Sequence, residues 1–152
     1  MLGTHSDGSV FLRCRVVEGR NLKAMDLNGF SDPYCVIYIT DDDGNKVDSA
    51  GTYRTPTVQK TLNPYWNSVF DIGSAAGLRV DDYTLVIEVW DEDTWTSDDN
   101  AGVVKVPLWN IPRRWGRQPA LDLWVPLHMG KKWIMTELQH MFKGVVDNET
   151  LK

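Results

Sequence analysis

Cysteine is scarce in this chain. Cys14 and Cys35 are the only two, too few for a disulfide framework. Both are expected as buried free thiols, because free cysteine packs as a small hydrophobe. No apolar run approaches the ~20 residues that a bilayer-spanning helix needs. Met1 to Gly8 has neither the basic start nor the apolar stretch of a secretory signal, so a cytosolic location is expected. Histidine is limited to His5, His128 and His140, which are scattered. No serine or cysteine sits in a recognisable nucleophile elbow, and a catalytic role is not expected. Positive charge is also short: 16 basic residues stand against 21 acidic ones, for a net charge of −5. That balance carries no footprint for nucleic acid, and it opposes unaided attraction to an anionic membrane.

What is present is a short repeating alternation. Val10, Leu12, Cys14 and Val16 alternate with Phe11, Arg13, Arg15 and Val17, and Leu85, Ile87 and Val89 alternate with Val86, Glu88 and Trp90. Period-two patterns of this kind describe half-buried strands. Turn signals separate them, among them Asp41-Asp42-Asp43-Gly44-Asn45 and Asn63-Pro64. Strands are predicted near 9–17, 33–40, 52–60, 67–72, 83–91, 101–109, 121–127 and 136–143. No window combines helical periodicity with caps. The 152 residues suit one domain. The expected fold is all-β, an eight-stranded antiparallel β-sandwich over residues 9–146, with flexible tails at 1–8 and 147–152.

The chemistry lies between strands. One connection reads Met25-Asp26-Leu27-Asn28-Gly29-Phe30-Ser31-Asp32, and another reads Asp91-Glu92-Asp93-Thr94-Trp95-Thr96-Ser97-Asp98-Asp99. They follow the first and fifth predicted strands, so in a sandwich both can emerge at the same end. Asp26, Asp32, Asp91, Asp93 and Asp99 could then converge. At ~4 Å and an effective dielectric near 20, each like-charge pair costs on the order of 4 kcal/mol. Five such groups need a compensating charge. A hard divalent cation supplies it, and calcium accepts six to eight oxygens in flexible geometry. The plainer reading is that these are solvated turn aspartates, because Asp favours turns.

At this point the residues resemble the C2 domain family. The landmarks are Asn21-Leu22, Ser31-Asp32-Pro33-Tyr34, Lys60-Thr61-Leu62-Asn63-Pro64-Tyr65-Trp66-Asn67, Phe70, Val89-Trp90-Asp91-Glu92-Asp93, Asp99 and Gly102. Their order and spacing are far more specific than any one of them. The resemblance implies roughly two or three calcium ions at loops on one end, held by the five aspartates and by the backbone carbonyls of Met25 and Glu92. The strand leading into Asp26 is the first in the chain, and an extra strand appears at the C-terminus. This resembles the circularly permuted, type II topology of the family, found beside catalytic domains in phospholipases C, novel protein kinases C and ubiquitin ligases of the HECT class.

The function that the resemblance implies is calcium-dependent binding of anionic, phosphatidylserine-like phospholipid membranes by a cytoplasmic protein recruited as a peripheral one. Leu27 and Trp95 fall at positions that enter the membrane in family members. Burying a leucine contributes ~1.5–3 kcal/mol, and tryptophan suits the headgroup boundary. Phe30 either joins them or packs under its own loop. Trp66, Trp90 and Trp109 are expected in the core or on a sheet face. A basic phosphoinositide-reading face is incomplete: Arg54 and Lys60 are partial matches, while Val36 and Pro56 stand where lysines are expected. Arg113, Arg114 and Arg117 form a separate basic connection, read as solvated. The alternative is a calcium-independent module that binds a protein partner or the catalytic domain of its own parent.

Overall fold

The computed structural model describes residues 2–4, 10–73, 81–111, 121–128 and 141–146. Among these lie nine strands: β1 (Leu2–Thr4), β2 (Val10–Arg20), β3 (Pro33–Thr40), β4 (Thr52–Arg54), β5 (Tyr65–Gly73), β6 (Thr84–Asp91), β7 (Asp99–Pro107), β8 (Leu121–Pro126) and β9 (Met141–Val146). They form two antiparallel sheets. In the first, β5 pairs with one edge of β2. The other edge is shared by β1, along Val10 to Leu12, and by β9, along Arg15 to Arg20. β8 lies beyond β9. The second sheet runs β4-β3-β6-β7.

The alternation in the sequence becomes the division between core and surface. Leu12, Cys14 and Val16 of β2 are fully buried, as are Cys35, Ile37 and Ile39 of β3. Their neighbours Arg13, Arg15, Val36 and Tyr38 are only partly covered. β6 is central to its sheet, and Leu85, Val86, Ile87 and Val89 are all buried. Each such aliphatic side chain contributes about 1.5–3 kcal/mol. The two cysteines face the interior as free thiols, one from each sheet. Burial pushes the Cys14 thiol up to about 12, which leaves almost no reactive thiolate at neutral pH.

Three segments depart from the sequence reading. The strand expected over 52–60 ends at Arg54, where Pro56 has no N–H to continue a ladder. The chain still follows β3: Thr55 N–H donates to Cys35 O at 3.0 Å and Val58 N–H to Pro33 O at 3.0 Å. The stretch expected as an N-terminal tail contains β1. The last strand, expected over 136–143, is described at Met141–Val146 and so runs past its expected end; residues 136–140 lie outside the described residues, as do Arg113, Arg114, Arg117 and the 147–152 tail. The triple-aspartate turn closes as expected, with Gly44 at φ 82° and an antiparallel bridge between Thr40 and Lys46.

Candidate functional site

The strand registers bring the aspartates to one end. Pro33 pairs with Asp91, and Asp91 pairs with Asp99. Asp32, Asp91 and Asp99 therefore mark the ends of three neighbouring strands. The β2–β3 loop carrying Asp26 and the β6–β7 loop carrying Asp93 extend past them.

The first loop is built locally. Gly29, at φ 81°, donates its N–H to Asp26 O at 3.1 Å, and Asp26 N–H donates to Phe30 O at 3.2 Å. Asn28 Oδ1 accepts from Phe30 N–H. This tight turn lifts Leu27 into full exposure. The buried Ser31 hydroxyl accepts from Met25 N–H at 3.1 Å and donates to Lys23 O, closing the neck. The Lys60–Pro64 segment buttresses the loop from behind. Thr61 N–H donates to Ser31 O, Leu22 N–H to Leu62 O, and Asn63 Oδ1 accepts from Asn21 N–H. That landmark thus holds the loop in place.

Asp32 ties three segments together. Its N–H donates to Asp91 Oδ1 at 2.6 Å, its carbonyl accepts from Glu92 N–H, and its Oδ1 accepts from Lys60 N–H at 2.6 Å. Asp91 is 1% exposed, and its Oδ2 is buried without any hydrogen-bond partner. Burial holds its carboxyl above the usual carboxylate range, and the charges of Asp26 and Asp93 push the same way. The Asp32 N–H opposes this in part. Asp93 N–H donates to Asp98 Oδ1 at 3.0 Å. Asp99 is exposed at the start of β7.

The five aspartates share an end without closing into a cage. Among the described residues, no three His, Cys, Asp or Glu side chains stand close enough together to hold an ion. The donor set nevertheless fits a hard cation such as calcium, which takes carboxylate and carbonyl oxygens. The buried Asp91 Oδ2 is an acceptor that the protein leaves open, and an uncompensated buried acceptor of this kind is costly.

Trp95, 94% exposed, stands with Leu27 at the loop tips, and Phe30 is 48% exposed. Trp66 is buried, its indole N–H donating to Pro33 O. Trp109 differs from expectation: it lies in a 3-10 turn after β7 and is 63% exposed. Of the partial basic face, Arg54 is already engaged. The Arg54 guanidinium lies 3.6 Å from the Tyr34 ring centroid and 2.6 Å from Glu92 Oε1. Lys60 is exposed, at φ 55°. The sequence reading missed Asp98 and the side chain of Glu92, because nothing in an acidic run separates a residue that braces the loop from one that lines it.

The C2 domain family matches residues 11–127, and the chain belongs to that family. A C2 and GRAM domain-containing protein of Arabidopsis thaliana is 40% identical over 123 residues, which is 80% of this chain and 10% of the relative. Tricalbin-1 of Saccharomyces cerevisiae is 41% identical over 103 residues, 68% of this chain and 8% of the relative. The chain thus spans about a tenth of the length of the curated relatives it matches. Among solved structures, a C2 domain of a plant extended synaptotagmin 1 superposes with a TM-score of 0.69 at 18% identity, over 89% of this chain and 90% of that one. At that identity the likeness carries the fold alone, an antiparallel β-sandwich.

Proposed function

We propose that this C2 domain is a calcium-switched module that docks on anionic phospholipid surfaces. The observation that carries the reading is the open Oδ2 of buried Asp91, set in the field of Asp26 and Asp93. Asp26, Asp32, Asp91, Asp93 and Asp99 would hold the ion, with the carbonyls of Met25 and Glu92. Bound there, calcium supplies positive charge that reverses the local potential and draws anionic headgroups. The chain's own residues do the rest. Its acidic loop end repels phosphatidylserine while the carboxylates are bare. Leu27 and Trp95, with Phe30 at half exposure, are placed to enter the headgroup boundary. An anionic surface attracts nearby positive charge with about 1 kcal/mol per unit. Ion and lipid then reinforce one another's binding, as linkage requires. The protein would be cytosolic at rest and peripheral on the membrane when loaded.

A second reading is favoured by the spread of the carboxylates: a binding module that engages a protein, or another domain of its own parent, without calcium. Sedimentation with phosphatidylserine-containing and neutral liposomes, in calcium and in chelator, decides between them. Calcium-dependent sedimentation with the anionic liposomes alone is the expected result. Absence of any calcium-dependent sedimentation would overturn the calcium reading and leave the second.

A further inference from the structure

Beside the aspartate loops, on the outer face of the second sheet, lies a network that the proposed ion site leaves unused. Tyr34 pairs with Trp90 across β3 and β6. Its hydroxyl donates to Asp98 Oδ2 at 2.6 Å, and the other oxygen of Asp98 accepts from Asp93 N–H at 3.0 Å. Arg54 stacks on the Tyr34 ring at 3.6 Å. Its Nη2 meets Glu92 Oε1 at 2.6 Å and the Thr57 hydroxyl at 3.3 Å. The β6–β7 loop is therefore clasped at both ends. Arg54 holds Glu92 at its start, and Tyr34 holds Asp98 at its finish. Between them, Thr94, Trp95 and Thr96 are exposed.

We propose that Tyr34 and Arg54 are positioning residues for this loop: through Glu92 and Asp98 they hold the backbone that presents Asp93 and Asp99 to a cation, without touching the cation themselves. The inference rests on the calcium reading above. Its physical basis is preorganisation. An unbraced loop must lose conformational entropy when its carboxylates close on an ion, whereas a braced loop has lost it on folding. Partners that hold a metal's ligands commonly govern affinity in this way.

Charge and positioning make opposite predictions for Arg54. A cation beside an anionic site repels incoming calcium, so on charge alone its removal tightens binding. If Arg54 positions Glu92, its removal weakens binding. Tyr34→Phe changes no charge and deletes only the hydroxyl.

The experiment is calorimetric titration of the full chain with calcium alone, without lipid, for the wild type, Tyr34→Phe, Arg54→Gln and Arg54→Lys. Melting of each variant is followed in chelator. Tyr34→Phe and Arg54→Gln are each expected to weaken calcium binding about tenfold, while melting in chelator shifts by no more than about 2 °C. Arg54→Lys keeps the charge but not the planar stack, and is expected to stay weakened. Unchanged affinity in Tyr34→Phe, or tighter binding in Arg54→Gln, overturns the proposal while the calcium reading stands. A large drop in melting in chelator that accompanies the loss assigns both residues to the fold instead. A wild-type chain that takes up no calcium removes the calcium reading and this inference together.

Discussion

Two acidic turns of this molecule have similar composition and opposite physical standing. At Asp41 to Asn45 the carboxylates are satisfied locally or by solvent. Asp41 Oδ1 accepts from Asn45 N–H at 2.8 Å, and Asp42 and Asp43 are exposed. At Asp91 to Asp99 a carboxylate is buried with one oxygen open, and its acidic neighbours raise the cost of its charge. The number of aspartates does not separate the two turns. Burial and unsatisfied acceptors do. A solvated carboxylate is already stabilised by water, whereas a buried one gains from an incoming cation.

The largest expected effect breaks the second turn. Asp91→Asn combined with Asp93→Asn should abolish calcium-driven sedimentation with phosphatidylserine liposomes. The same variant should melt in chelator at the wild-type temperature or above it, because two repelling charges are gone. Undiminished calcium dependence would show that these aspartates are not the site. Next in size, Trp95→Ala should weaken liposome binding by about tenfold, the loss of one partly inserted side chain. Calcium affinity measured without lipid should stay near that of the wild type. An equal loss of both would make Trp95 a structural residue.

The interior sharpens the contrast, since its buried thiols remain neutral. The folded Cys14 thiol ionises near 12, against an ordinary value of 9.0. Below pH 9 the thiol is protonated in both folded and unfolded chains and contributes no slope. Above pH 9 only the unfolded thiol releases its proton, so stability falls as pH rises, by up to about 1.4 kcal/mol per pH unit for this group. Urea midpoints between pH 9 and 10 should fall more steeply for the wild type than for Cys14→Ala. Equal slopes would mean that the thiol is solvated. Smallest of all, Asp42→Asn with Asp43→Asn should change stability by no more than about 0.5 kcal/mol and leave calcium-dependent sedimentation intact. Loss of calcium response in that variant would erase the distinction between the two turns.

Much of the fold was legible because its signal is local. Leu12, Cys14 and Val16, and again Cys35, Ile37 and Ile39, repeat with the period of a strand, and both sets lie in the core. β3 begins and ends where the pattern does. Leu2–Thr4 was not legible, since three residues are too few to show a period. The early end of β4 depends on one proline acting on an otherwise strand-like run.

The order of the landmarks in the sequence carried the resemblance to the C2 family, which the match over residues 11–127 bears out. Alternation and turns predicted a β-sandwich, and strand parity allowed both aspartate loops to emerge at one end. Only the tertiary structure decided which of these carboxylates is buried, that β9 lies against β2 from the far end of the chain, and that Arg54 clasps Glu92. Those outcomes depend on pairings between residues distant in sequence, such as Asp32 with Asp91 and Tyr34 with Asp98. Alternation reports which face of a strand a residue occupies, but desolvation and hydrogen bonding are set by whatever the fold brings up against that face.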